Sequence, residues 1–220
     1  DSAVTSTLCA MTGYDTQVVV MPINQKQDET DRGMKHCQWL KEKYSNVKEI
    51  KIELTSIFNE FKSNFPDKFQ DKTALANTRA RVRMTSLYLI SGSTNGIVVG
   101  TGNKVEDFGV GFFTKYGDGG VDISPIADLM KSEVYELGKN LGIISSIMKA
   151  EPTDGLWEDE RTDEDQLGLS YNDLEWAMNF SGDEIKLSKE EINKLDRYKQ
   201  HRSKNIHKMK AIPIFKNDSK

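Results

Sequence analysis

The segment from Gly100 to Asp122 concentrates residues whose types could do chemistry at a strand end. An apolar run, Ile97-Val98-Val99, leads into Gly100-Thr101-Gly102-Asn103-Lys104-Val105-Glu106. A second cluster follows at Lys115-Tyr116-Gly117-Asp118-Gly119-Gly120-Val121-Asp122. Ligands of open α/β sheets bind beyond the carboxyl ends of strands. Glycines let the backbone approach a ligand, and carboxylates hold hard cations. Glu106, after a strand end and a glycine-containing loop, is therefore placed to bind a divalent ion rather than to serve as an ordinary surface glutamate. Lys115, Asp118 and Asp122 suit either ligand contact or a tight Gly-Asp-Gly-Gly turn, in which Asp118 is a good turn former.

Other candidates lie outside this segment. Asp1-Ser2 could cap a helix, or close a phosphate loop with pyrophosphate resting on the helix N-terminus. In Asn77-Thr78-Arg79-Ala80-Arg81-Val82-Arg83-Met84, Arg79 and Arg83 share a helix face and Arg81 points away from it. One set must face the core or a ligand, and an inward arginine is expected to meet a carboxylate or phosphate in a forked geometry. Thr153 after Pro152 reads as a helix start, and His207-Lys208 as a frayed basic tail. His36 and His201 read as incidental helix residues.

These side chains need a scaffold, and the pattern supplies one. Helical spacing runs over Ser2–Met11, with Gly13 as a stop, over about Asp28–Tyr44 and over roughly Ala74–Ser91. It returns at Lys131–Leu141, ending at Gly142, and near Tyr171 and Ser188. Gln17–Met21, Lys48–Leu54 and Ile97–Val99 read as strands. The acidic, turn-rich stretch Glu151–Gly168 reads as a mobile loop, and Arg202–Lys210 as a basic end. Short parallel-type strands alternating with helices predict a doubly wound, mostly parallel α/β sheet flanked by helices. Right-handed crossovers would gather the ends of Met21, Leu54 and Gly100 along one edge.

Composition excludes several classes. The 220 residues fit one domain, and a net charge of −4 gives no general nucleic-acid surface. No apolar run approaches the roughly 20 residues that span a bilayer, and no basic-then-apolar signal segment opens the chain. Cys9 and Cys37 have neither metal-ligand spacing nor a disulfide framework, which points to a reducing, cytoplasmic setting. The start at Asp1-Ser2, without methionine and directly into a helical pattern, reads as the middle of a longer polypeptide.

In order, these motifs resemble ammonia-dependent NAD synthetase, of the N-type ATP pyrophosphatase, adenine nucleotide α-hydrolase-like superfamily. The resemblance runs from Asp1 to about Pro213. It rests on Ala80-Arg81-Val82-Arg83-Met84, Gly100-Thr101 with Glu106, and Phe112-Phe113-Thr114-Lys115-Tyr116-Gly117-Asp118-Gly119-Gly120. It continues through Asp122, Pro125, Lys131, Glu151-Pro152-Thr153, Asp163-Glu164-Asp165-Gln166-Leu167-Gly168 and His207-Lys208. The resemblance implies ATP-dependent amidation of deamido-NAD (nicotinic acid adenine dinucleotide) by ammonia, through an adenylated carboxylate, in a homodimer. It implies Asp1 and Glu106 as the Mg²⁺ carboxylates, and Asp1, Ser2, Thr101, Lys131 and Thr153 as ATP contacts. Arg81, Lys115, Asp122, His207 and Lys208 would line the deamido-NAD site, partly across the dimer interface. Lys131 would also act as a catalytic, phosphate-directed charge, and Asp118 would steer or deprotonate ammonium.

Two departures stand out. The family's Ser-Gly-Gly-x before the Asp-Ser pair, and the strand before that, would precede Asp1; residues 1–220 are expected to form a single synthetase domain whose upstream segment lies before the given sequence. Many relatives also carry an arginine before the proline after the second strand, whereas Val20-Met21-Pro22 has none, so adenine contacts near Met21 are expected to be apolar and backbone-based. The synthetase part of a glutamine-dependent enzyme remains an alternative, although nothing resembles a glutaminase domain. A non-catalytic nucleotide-binding module of the universal-stress-protein type would leave Arg81, Lys115, Asp122 and His207-Lys208 idle. GMP synthetase lacks the Lys-Tyr-Gly-Asp-Gly-Gly segment.

Overall fold

The β-branched run Val18-Val19-Val20 forms the heart of a parallel pair that organises the amino-terminal half. In a computed structural model describing residues 1–153 and 162–217, β1 (Thr16–Val20) pairs with β2 (Val47–Lys51) in register from Thr16↔Val47 to Val20↔Lys51. The helices α1 (Ser2–Met11) and α2 (Gln27–Lys43) flank this pair, with Ala10, Val18, Cys37, Leu40 and Val47 as their shared core. Gly13, at φ +79°, turns the chain from α1 toward β1.

The strand expected over Lys48–Leu54 ends at Lys51. Parallel-type hydrogen bonds continue from Ile52 N to Val20 O (2.9 Å) and from Leu54 N to Pro22 O (3.0 Å), and Leu54 then opens α3 (Thr55–Ser63). Helix α4 (Lys72–Thr94) starts on the Asp71 carboxylate, which accepts the Ala74 N–H at 3.0 Å, and ends on left-handed Asn95.

The strand expected at Ile97–Val99 is reduced, among the described residues, to one parallel bridge, Val99↔Ile123. A side chain takes over part of the ladder: the Asp122 carboxylate accepts the Val98 N–H at 2.7 Å, while Asp122 N donates to Val98 O at 2.9 Å. The chain then enters a π-helix, π1 (Lys104–Val110), in place of the expected loop.

Helix α5 (Lys131–Leu141) has the bounds the pattern predicts. Its first turn is closed by Glu133, which accepts the Met130 N–H at 2.7 Å, and Gly142 at φ +72° ends it. Val134, Ile126 and Ile143 pack there on Ala3 and Val4 of α1. After the short α6 (Ser145–Met148), the acidic stretch expected to be a loop contains α7 (Asp163–Leu167), while 154–161 lie outside the described residues.

Helix α8 (Tyr171–Asn179) and helix α9 (Lys189–Met209) begin with reciprocal capping boxes at Ser170/Asp173 and Ser188/Glu191. The basic residues from Arg202 onward are therefore helical to Met209, not a frayed tail. Val105, Val110, Leu167, Leu174, Leu195 and Tyr198 form one core that binds π1, α7, α8 and α9 together.

Candidate active site

Four elements deliver the central cluster. Asp1 precedes α1, Glu106 rides on π1, Lys131 opens α5 and Tyr171 opens α8. Lys131, a residue only 6% exposed, holds its ammonium 2.8 Å from Asp1 Oδ2 and 2.8 Å from Glu106 Oε1. The Tyr171 hydroxyl donates to Glu106 Oε1 at 2.6 Å and stands 3.2 Å from Asp163 Oδ2, and the ring carries the ammonium 4.9 Å from its centroid.

Asn103 ties the cluster to the backbone. Its fully buried side chain accepts from the Val105 and Glu106 N–H groups, each at 3.0 Å, which caps π1, and donates to Asp1 Oδ1 at 3.3 Å. Asp1 makes no side-chain cap hydrogen bond to α1, so simple helix capping does not account for it. Burial opposes the charge on Glu106, but Lys131, with hydrogen bonds from Lys131 and Tyr171, holds the carboxyl below its usual range. Burial first, then the charges of Glu106 and Asp163, push the Tyr171 phenol far above its usual value, so it stays a protonated donor.

Ser2 is exposed at the start of α1, and Thr101 is half-buried at the strand end. Thr153 is exposed, and its neighbour Pro152 accepts the Asp163 N–H at 3.1 Å, which joins that segment to the Tyr171 side of the cluster.

A second group gathers around Thr114–Gly120. The exposed Arg81 guanidinium donates to Lys115 O (3.3 and 3.4 Å), and Lys115 Nζ donates to His207 O at 3.0 Å. Lys208 Nζ donates to Gly111 O (2.9 Å) and Phe113 O (2.7 Å). Asp118 Oδ1 accepts the Thr114 N–H at 2.9 Å, so the turn-forming role is present. Burial raises the Asp118 carboxyl above its usual range, with the Thr114 hydrogen bond opposing. Burial, with the charges of Asp118 and Glu106, raises Asp107 to about 7. Asp122 is set apart from this group, its two oxygens accepting Tyr88 OH (3.0 Å) and Val98 N (2.7 Å).

The arginine face resolves differently from expectation. Arg83 is the inward residue, yet among the described residues its hydrogen bonds go to no carboxylate: Nε donates to Met21 O at 2.9 Å and Nη2 to Gln25 Oε1 at 2.6 Å. Burial lowers its pKa to about 10. A guanidinium from α4 thus reaches the end of β1, where Val20-Met21-Pro22 carries none, so that strand end is not purely apolar. Arg79 stacks on Phe58, 5.1 Å from the ring centroid. Asn103 and Tyr171 carry no role in the sequence pattern; the signal they offer is their place beside Gly100-Thr101 and Asp163–Gly168.

Among the described residues no cluster of three or more His, Cys, Asp or Glu side chains is poised around a metal. Two carboxylates, Asp1 and Glu106, nevertheless flank one buried ammonium. That donor set fits Mg²⁺, which is commonly held by one or two carboxylates together with substrate phosphates.

The NAD synthase family matches residues 1–219. The chain is 35% identical over 206 residues to the NH(3)-dependent NAD(+) synthetase of Mesoplasma florum, covering 91% of this chain and 82% of that one. It is 42% identical over 157 residues to the enzyme of the same name from Alkaliphilus metalliredigens, covering 70% of this chain and 63% of that one. The structure of NMN synthetase from Francisella tularensis is similar with a TM-score of 0.84 at 29% identity, covering 96% of this chain and 83% of that one. The chain belongs to the NAD synthase family.

Proposed function

We propose that this chain carries out ATP-dependent amidation of deamido-NAD with ammonia, yielding NAD⁺, AMP and pyrophosphate. The observation that carries the reading is the convergence of Asp1, Glu106 and Lys131 at 2.8 Å, in a family whose named relatives are NH(3)-dependent NAD(+) synthetases. A carboxylate is a poor acyl donor, because hydroxide is a poor leaving group. In the first step a carboxylate oxygen attacks the α-phosphorus of ATP, forming a P–O bond as the bond to pyrophosphate breaks. In the second step ammonia attacks the acyl carbon, the bond to AMP breaks, and the nitrogen sheds a proton.

Each residue has a part in this scheme. Lys131 supplies a fixed positive charge for developing phosphate charge. Asp1 and Glu106 would hold Mg²⁺, which would neutralise phosphate charge. Ser2, Thr101 and Thr153 line the ATP side, while Arg81, Lys115, His207 and Lys208 line the deamido-NAD side, with Asp122 apart from them on Tyr88 and Val98. Asp118 attracts ammonium and takes its proton, a role its buried carboxyl can fill once ionised. We also propose a homodimer and a cytoplasmic setting, with no role for nucleic acid or membrane. Among the described residues no helix is long and apolar enough to cross a membrane.

The likeness to NMN synthetase from Francisella tularensis supports a second reading, in which the acceptor is the nicotinate mononucleotide. One assay separates the readings. Full-length polypeptide is given ATP, Mg²⁺ and ammonium, with deamido-NAD, with nicotinate mononucleotide, or with neither, and AMP release is followed. AMP formation that requires deamido-NAD supports the main reading, and preference for the mononucleotide supports the second. Release independent of both, or none, sinks both. Glutamine in place of ammonium tests whether a glutaminase supplies the nitrogen.

A further inference from the structure

Glu106 must present an oxygen to a cation while it is bonded to a cation of the protein itself. Among the described residues, Lys131 Nζ at 2.8 Å and Tyr171 OH at 2.6 Å both land on the same oxygen, Oε1, and the Asn103 side chain also acts on the carboxylate. The Glu106 N–H is fixed separately by the Asn103 side chain at 3.0 Å. We infer that Tyr171 is a positioning residue of the cation site, its hydroxyl pinning Oε1 of Glu106 beside Lys131 so that Oε2 faces the cation. The inference rests on the reading of Asp1 and Glu106 as the Mg²⁺ carboxylates.

Tyr171 is suited to this by its surroundings. Its ring is buried in the same core as Val105 and Leu174, the residues that seat π1 and α8. Its backbone N–H donates to Glu164 Oε1 at 2.8 Å. The phenol therefore gives up little freedom when it orients Glu106. The ring face also sits 4.9 Å from the Lys131 ammonium, so one side chain constrains both partners of the ion pair. A phenol carries one proton, and two carboxylate oxygens flank it, Glu106 at 2.6 Å and Asp163 at 3.2 Å. The shorter distance places the proton toward Glu106. Partners that orient a metal-binding carboxylate in this way commonly govern metal affinity as strongly as they govern turnover.

Tyr171→Phe tests the inference, because it keeps the ring, its packing and its contact with Lys131 and deletes only the hydroxyl. Mn²⁺ binding to the full chain is titrated by electron paramagnetic resonance, with and without a non-hydrolysable ATP analogue. Glu106→Gln and the double variant are measured alongside, and melting temperature reports the fold. Tyr171→Phe is expected to weaken Mn²⁺ binding by roughly 10-fold. It should raise the Mg²⁺ concentration needed for half-maximal turnover similarly, leave the deamido-NAD KM unchanged, and add little in the double variant. If Glu106→Gln weakens Mn²⁺ binding while Tyr171→Phe does not, the inference falls and the cation site stands. Additive losses in the double variant also overturn it, since the hydroxyl would then act elsewhere. If Glu106→Gln leaves Mn²⁺ binding intact, the cation site itself falls, and the inference with it.

Discussion

Asp118 and Asp107 are carboxyl groups whose ionisation is opposed by burial, close to each other and to Lys208. Asp118→Asn separates the two roles of that residue, because Asn keeps an oxygen for the Thr114 N–H but loses the charge. The expected result is an intact fold with kcat down by roughly 100-fold and an altered ammonium dependence. Unchanged kinetics would leave Asp118 as a turn former. Asp107 packs against Gly102, where any Cβ would collide with its carboxylate. Its folded pKa, about 7, lies above the ordinary 3.8. Below about pH 4 the group is protonated in both states and its contribution to stability is fully present. As pH rises through 7 that contribution is lost, since the folded protein must ionise a buried carboxyl. Asp107→Asn is therefore expected to be more stable than the parent by about 1–3 kcal/mol at pH 8, with the difference shrinking toward pH 4. Urea unfolding at both pH values checks the sign.

The π-helix is the element on which the site depends most. Its wide turns leave carbonyls at its carboxyl end that need donors, and α9 supplies them. Arg202 donates to Phe108 O and, at 2.9 Å, to Gly109 O; Asn205 donates to Val110 O at 2.9 Å; Lys208 donates to Gly111 O at 2.9 Å. Asn205→Ala should lower stability by about 1–2 kcal/mol and speed hydrogen exchange across residues 104–111. Exchange confined to the end of α9 would contradict that coupling. The bounds of α5 were legible in the sequence because a left-handed glycine ends it, and the cores of α1 and β1 were legible from apolar spacing. Nothing in Lys104–Val110 marks i→i+5 bonding, and the basic face of α9 looks solvated until its carbonyl acceptors are known. Of the proposed site, Glu106 and Lys131 were recognisable by motif. Tyr171 was not, because its role depends on a helix start packed across the core from π1. Arg83 was legible as an inward residue but not for its partners, a carbonyl and an amide from a distant loop.

At the scale of the whole molecule, α4 is longer than its burial explains. Of its 23 residues only Ala76, Ala80 and Ser91 are buried, whereas Leu89 is 74% exposed. Ile97, Tyr116 and Ile123 are also exposed large side chains, and Tyr88 is tied by its hydroxyl to Asp122, next to Ile123 in the chain. An apolar surface of this kind, next to Arg81 and Lys115, is what a self-complementary contact requires. The expected homodimer would bury it and would bring the proposed deamido-NAD residues of one chain against those of the other. Leu89→Glu places a charge there without touching the core or the Asp1–Glu106–Lys131 cluster. Sedimentation velocity at micromolar concentration should then show monomer where the parent shows dimer, with an unchanged melting profile of the monomeric fold. Because Arg81 lies along the same side of α4, the deamido-NAD KM should rise several-fold while the Mg²⁺ dependence holds. A parent chain that sediments as a monomer, or a Leu89→Glu variant that still dimerises, would show that this face serves something other than self-association.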